Sequence, residues 1–168
     1  LMEGQLNIKD AIDKKIDFTD KKTGKEYKLN NNTAILIVRP RGLHLEEKNI
    51  KINDKRISGT FFDLGLSLFH NAKKLLNKNS GPYFYLPKLE HYLECRLLND
   101  VISYCEKKLN ISIGTVKVTV LIETINAVFQ MEEFLWELKD HIVGLNAGRW
   151  DYLFSYQKVY RNTKKVIL

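Results

Sequence analysis

Five charged side chains in this sequence follow apolar, strand-like runs, and their types suit metal and oxyanion chemistry. Arg39 and Arg41 follow "AILIV" (34–38) in "RPRG", and Lys88 ends "GPYFYLPK" (81–88). Glu123 ends "TVKVTVLIE" (115–123), and Asp151 follows "IVGLNA" within "GLNAGRWDY". Two carboxylates from neighbouring strands are hard oxygen donors for a divalent ion such as magnesium, which keeps positions open for water and a substrate's oxygens. A guanidinium facing the same point would hold an oxyanion through paired hydrogen bonds. Gly144 and Gly148 are places where the backbone allows close approach, so "GLNAGRWDY" reads as a turn that delivers an acid. Each residue also has a plainer reading. Glu123 suits a helix N-terminus with Thr124 as the cap, Asp151 suits a surface pair with Arg149 or Lys158, and the arginines suit ordinary loop charges. Lys88 reads as structural or peripheral. It is the recurrence of Arg39, Glu123 and Asp151 at successive strand ends that points to a site.

Those ends are positioned by a regular alternation. Residues 1–32 form a polar lead-in, with a short helix expected near Ile8 to Ile16, a turn at "TGKEY" and a loop at "NNNT". Residues 33–168 alternate between strands and helices. After the first strand, "SGTFFDLGLSLFHNAKKLLNK" has Phe61, Leu64, Leu68, Ala72 and Leu75 at helical spacing, with Ser58 as a cap. After the second, Leu93, Leu97, Val101, Cys105 and Leu109 predict one stripe of a long helix. After the third, Val128, Met131, Leu135 and Leu138 predict the buried side of another. "IVGLNA" is the fourth strand, and its Ile142 and Val143 read as buried. The pattern predicts βαβ units and an α/β fold with about four parallel strands and intervening helices. An open doubly wound sheet and part of a TIM (β/α)8 barrel both satisfy it. In either, chemistry collects at the carboxyl ends of the strands.

Composition narrows the function classes. The 168 residues are 44% hydrophobic and 28% charged, as in a globular chain with a real core. No apolar run approaches the roughly 20 residues of a membrane span, and the first ten residues do not resemble a signal peptide. A cytoplasmic setting is therefore expected, with no membrane partner. The net charge of +7 raises the question of nucleic acid. The lysines are scattered through turns and helix flanks, including "NTKKV" (162–166), and no zinc-finger or aromatic RNA-binding motif accompanies them, so no nucleic-acid partner is expected. Cys95 and Cys105 are too far apart along one helix for a disulfide and read as reduced thiols. His44 lies near the proposed site, while His70, His91 and His141 fall on helix ends or faces. No Ser–His or Cys–His motif, dinucleotide-binding glycine pattern or P-loop is present.

Five stretches in order, "VRPRGLHLEEK", "SGTFFDLGLSLFHNAKKLL", "SGPYFYLPKLE", "GTVKVTVLIETINAVFQMEE" and "DHIVGLNAGRWDYLFSY", resemble the catalytic barrel of the malate synthase family, in its shorter A-type form. The likeness implies a TIM barrel that condenses glyoxylate with acetyl-CoA and water to give malate and CoA in the glyoxylate cycle, with magnesium as cofactor. It implies Glu123 and Asp151 as the metal ligands and Arg39 as the catalytic arginine. It also implies that Gly148, Trp150 and Asp151 bind substrate, with Arg41 a further candidate. Family enzymes are about three times longer. The flanking barrel strands, the C-terminal domain and its catalytic base are thus expected to be missing here, leaving an interior fragment inactive alone and prone to self-association through open sheet edges. A eukaryotic source would open a peroxisomal or glyoxysomal location as the alternative to a cytoplasmic one. The alternatives are a citrate-lyase-like or aldolase-like magnesium barrel and a non-catalytic remnant that binds magnesium and an oxoacid.

Overall fold

The computed structural model describes residues 2–163; Lys164 and Lys165 of "NTKKV" lie outside them. The polar lead-in forms helix α1 (Met2–Ile12), which begins earlier than expected, and an antiparallel pair, β1 (Asp17–Thr19) and β2 (Glu26–Lys28). Its turn is closed by Asp20, whose carboxylate accepts from the Lys22 amide and the Thr23 hydroxyl. Helix α1 is tied to the helix after the first strand by the Lys74 ammonium, which donates to both oxygens of Asp13 at 2.8 and 2.7 Å.

Strand β3 (Ile37–Val38) is shorter than the "AILIV" run suggests, and Ile35, Leu36 and Ile37 are exposed. It lies at the edge of its sheet, so one flank has no hydrogen-bonding neighbour among the described residues. An antiparallel hairpin that the sequence reading did not anticipate follows, β4 (Glu46–Ile52) and β5 (Lys55–Ser58). Asn53 and Asp54 both take positive φ, 50° and 60°, as a two-residue type I′ turn demands. The alternating "IKINDKRI" around an Asn-Asp pair was the available signal.

Helix α2 (Gly59–Asn77) starts as expected, with the Ser58 hydroxyl accepting from the Phe61 amide, and it buries Leu64, Leu68 and Ala72. Strand β6 (Tyr83–Leu86) leads to helix α3 (Tyr92–Leu109), opened by a capping box between His91 and Glu94 and closed by Asn110 in the left-handed conformation. The face that α3 buries is Cys95, Leu98, Ile102 and Glu106, while Leu93 and Leu97 are exposed. The expected stripe therefore fails. A strict spacing of four drifts around a 3.6-residue helix, and the real face mixes steps of three and four.

Strand β7 (Lys117–Ile122) is followed by two helices, α4 (Ile125–Val128) and α5 (Met131–Glu137), where one was expected. The break falls where Gln130 is pinned to the start of α3: its side-chain oxygen accepts from the Tyr92 amide, and its nitrogen donates to the Glu90 and Asn126 carbonyls. Phe134 and Leu138 are buried, whereas Met131 and Leu135 are exposed. Strand β8 (Ile142–Ala147) is the other sheet edge, and its Val143 faces outward rather than into the core. Helix α6 (Arg149–Tyr160) begins inside "GLNAGRWDY", correcting the reading of that stretch as a turn.

The four parallel strands lie in the order β3-β6-β7-β8. Each new strand joins the same side of the last, as in a barrel wall. A doubly wound sheet would reverse direction at a switch point. The core lies between this sheet and α2, α3 and α5, with Phe84, Leu86, Val116, Val118 and Val120 meeting Leu64, Leu68, Leu98, Ile102, Phe134 and Leu138. No helix of the described residues is long and apolar enough to cross a membrane.

His141 is fully buried, its Nδ1 2.8 Å from Asn99 Oδ1 and its Nε2 2.9 Å from Glu106 Oε2. Glu106 also accepts from the Gly114 and Val116 amides, which fastens the loop entering β7. This histidine thus belongs to the scaffold, at the end of the sheet where the strands begin. Both cysteines are free, with Cys95 buried and Cys105 half-buried. Burial pushes the Cys95 thiol up to about 12. At pH 8 in the folded protein, Cys95 should resist iodoacetamide and become reactive only on denaturation, as mass spectrometry of the alkylated peptides would report.

Candidate active site

The sheet delivers one charged residue from the end of each of its four strands to a common area. Arg39 follows β3, Lys88 lies two residues beyond β6, Glu123 follows β7, and Asp151 sits in the first turn of α6 after β8. Neighbouring strands are about 4.8 Å apart, so such residues meet wherever their side chains turn inward.

Glu123 is the buried centre, with no side-chain surface exposed to solvent. It sits in the tight passage from β7 to α4. There Thr124 caps α4 by accepting from the Ala127 amide and donates its own hydroxyl proton to the Leu89 carbonyl. One Glu123 oxygen accepts from the Lys88 backbone amide at 2.7 Å, and the other accepts from the Lys88 ammonium at 3.0 Å. Lys88 holds φ at +61°, an uncommon conformation for a side-chain-bearing residue. The same ammonium reaches Asp151 Oδ1 at 2.7 Å. Arg39 approaches Glu123 at 3.8 Å, with its guanidinium 5.8 Å from the centre of the Tyr85 ring. Asp151 is 45% exposed, so the site is closed at Glu123 and open at Asp151.

The two acids differ accordingly. Burial pushes Glu123 above the ordinary carboxylate range, and the neighbouring Asp151 adds to this. Hydrogen bonding from Lys88 holds Asp151 below its ordinary range. Lys88 itself is raised: burial works against its charge, but the bonds to Asp151 and Glu123 outweigh it. Lys88, which reads from the sequence as structural or peripheral, lies between both acids. Its position at a strand end, the criterion used for the others, was signal enough.

Gly148 also acquires a specific reason. A Cβ there would fall 2.6 Å from Glu123 Cβ and 3.3 Å from Leu121 Cγ. What approaches the backbone at Gly148 is Glu123 itself. At Gly144 a Cβ would meet open space, so no close approach explains that glycine. Trp150 is exposed, with the Arg149 guanidinium 4.8 Å from its ring centre.

Arg41, the further substrate-binding candidate, stands apart from this cluster and bonds to Asp63 and Glu47. Its Nε and NH2 donate to the two oxygens of Asp63 and its NH1 donates to Glu47, each at 2.9 Å. Its backbone amide also donates to Asp63 at 2.9 Å. The guanidinium is spent on clamping the β4–β5 hairpin and the "RPRG" loop to α2. The Asn49 amide and Arg41 hold Glu47 below its ordinary range. The unfolded chain therefore binds a proton there more readily than the folded chain does. The clamp's contribution is present at neutral pH and is lost as pH falls through the depressed folded value. Thermal melts between pH 7 and pH 3 should show Arg41→Met less stable than the parent at neutral pH, with the gap narrowing in acid.

His44 packs over Gly42, where a Cβ would meet its ring at 2.7 Å, and makes no recorded bond to the acids. A cavity of about 700 Å³ lies elsewhere, lined by Ile12, Leu29, Ile35, Leu36 and Leu75. It opens where the strands begin, so its volume says nothing about the charged cluster.

Comparison with known proteins shows the family of the chain. The family model for the malate synthase TIM-barrel domain matches residues 35–168. The chain is 53% identical to a bifunctional glyoxylate cycle protein of Caenorhabditis elegans, over 99% of this chain and 17% of that protein. It is 50% identical to malate synthase of Myxococcus xanthus over its whole length, covering 31% of that protein. With malate synthase A of Escherichia coli it shares 51% identity over 96% of this chain and 30% of that protein. Among solved structures, a citrate lyase from Burkholderia xenovorans aligns with a TM-score of 0.49 at 20% identity, over 62% of this chain and 30% of that one, too distant to bear on chemistry. The chain spans less than a third of the length of these curated relatives. With a four-stranded parallel wall whose strand ends gather two acids and two cations, and a family match over most of its length, the chain belongs to the malate synthase family and carries part of its TIM-barrel domain.

Proposed function

We propose that this chain carries the metal and glyoxylate half of a malate synthase active site, an acyltransferase that condenses glyoxylate with acetyl-CoA and water to give malate and CoA. The observation that carries this reading is the meeting of Glu123 and Asp151, from the ends of adjacent strands, on the Lys88 ammonium, with the Arg39 guanidinium 3.8 Å from Glu123. Among the described residues no group of three or more histidines, cysteines or acids is arranged to hold a metal ion, and this carboxylate pair is the donor set we assign. Two carboxylates that already share a cation fit a hard divalent ion that leaves positions for water and substrate. Magnesium bound by Glu123 and Asp151 would supply Lewis-acid polarisation of the aldehyde and a template for the glyoxylate oxygens.

The chain's own residues do the rest. The first amides of α6, at Arg149, Trp150 and Asp151, have no partner within the helix and lie at its positive end. They suit the glyoxylate carboxylate, with Gly148 and Trp150 forming the approach. Arg39, half exposed and aimed across Tyr85 at the same point, stabilises charge on the aldehyde oxygen and on the acetyl-CoA enolate. Removal of the acetyl methyl proton falls to a base outside this segment. Arg41 is left with its clamp. The open edges β3 and β8 make self-association the expected behaviour of the segment expressed alone. The setting we infer is cytoplasmic, or peroxisomal or glyoxysomal in a eukaryotic cell. Calorimetric titration of the full-length protein tests the half-site: glyoxylate should bind saturably with magnesium and not with a chelator. Magnesium-independent glyoxylate binding would overturn it.

A further inference from the structure

We infer that the Lys88 side chain is a resident counter-cation that occupies the carboxylate pair before the metal arrives and is displaced from it when the metal binds, an inference resting on the magnesium site proposed above. The ammonium spans the pair in this structure, 3.0 Å from Glu123 Oε2 and 2.7 Å from Asp151 Oδ1. Glu123 has no exposed side-chain surface. A buried carboxylate with no cation beside it is strongly unfavourable, and an acid beside a second acid is more so. Lys88 removes both penalties in the metal-free protein. A dication on the same oxygens removes them as well, but like charges repel at such distances, so ammonium and dication exclude one another.

Lys88 is built for such an exchange because it holds Glu123 twice. The backbone amide, presented by the φ of +61°, donates to Glu123 Oε1 at 2.7 Å independently of the side chain. When the ammonium leaves, Glu123 stays oriented. The ammonium is one-third exposed and its partner Asp151 nearly half exposed, so the side chain has a path toward solvent or toward an anionic substrate. Arg39 has no equivalent role, since it stands 3.8 Å from Glu123 and has no recorded bond to Asp151.

The consequence is a competition that can be measured without turnover. In the full-length protein, Lys88→Met should bind magnesium at least about tenfold more tightly by calorimetry, because the ion no longer displaces a charge. The metal-free variant should melt at a lower temperature than the parent, and added magnesium should raise that temperature by more. Lys88→Gln provides the same comparison should the methionine variant fail to fold. Wild type offers a third readout: amine labelling of Lys88, followed by mass spectrometry, should rise when magnesium is added. Unchanged or weaker magnesium affinity in a folded Lys88 variant, or Lys88 labelling that is flat or falls with magnesium, overturns the inference. If wild type binds no magnesium at all, or binds it equally in Glu123→Gln, the proposed metal site fails instead, so the two failures are distinguishable.

Discussion

Glu123→Gln in the full-length enzyme is expected to lower turnover by about a thousandfold or more while changing the melting temperature little. The two effects separate if Glu123 serves the site as proposed, because its burial does little for the fold. It is buried at the end of β7, where a charge gains least from water, and its partners are themselves site residues. Glutamine keeps the shape and one carbonyl oxygen, so the Lys88 amide retains an acceptor. The Lys88 ammonium loses one of its two anions but keeps Asp151 at 2.7 Å. The folded state thus loses an ion pair and sheds a buried charge, two changes of opposite sign that leave stability within about 1 kcal/mol of the parent. Under the proposed metal site, metal binding would have no such compensation, since half of the anionic donor set would be gone. Steady-state assays at saturating magnesium, with parallel thermal melts, check both halves. Near-parental turnover would remove Glu123 from the metal site. A collapse in melting temperature would make it chiefly a structural residue.

Gly148→Ala is expected to cost about 1–3 kcal/mol in stability and about a hundredfold in turnover. The added methyl would lie 2.6 Å from Glu123 Cβ and 3.4 Å from Glu123 Cα, with Leu121 at 3.3 Å on the other side. None of these atoms is the free end of a flexible chain, so relief must come from moving backbone. The Gly148 amide donates to the Ile122 carbonyl at 2.8 Å, the last rung joining β8 to β7 before the chain enters α6. Pushing Gly148 away breaks that rung, tilts the start of α6 and carries Asp151 away from Glu123. Denaturant melts and kinetics on the same preparation would show both losses. Retention of full activity would mean that the spacing of the two acids is not set here. Gly144→Ala is the matched control, because a Cβ at that position meets nothing within 4 Å.

The elements were legible in the sequence where local rules are strong. An aromatic run bounded by prolines marked β6, a β-branched run marked β7, Ser58 marked the start of α2, and strand ends marked Arg39, Glu123 and Asp151 as candidates. Local rules failed where a neighbour decided the outcome. The face buried by α3 is displaced from the Leu93–Leu97 stripe because the sheet and α5 select it, not the density of leucines. The break between α4 and α5 comes from Gln130 reaching to the start of α3, a contact across 38 residues. Val143 reads as core yet is exposed, and so are Ile35 to Ile37 of the first apolar run, since burial depends on what lies beside a strand as well as on its composition.

The candidate site divides in the same way. By itself the sequence determined that acids and arginines follow successive strands of a parallel α/β chain, because hydrophobic period and connection rules fix which ends face together. Its motifs carried the resemblance to the malate synthase family. Only the tertiary structure decided which of these charges meet. It turned Arg41 away to Asp63 and Glu47, brought Lys88 between Glu123 and Asp151, and gave Gly148 to the packing of Glu123. The reason is one of length scale. Period and propensity act over a few residues, whereas a charge finds its partner through a few ångströms of space set by strands and helices far apart in the chain.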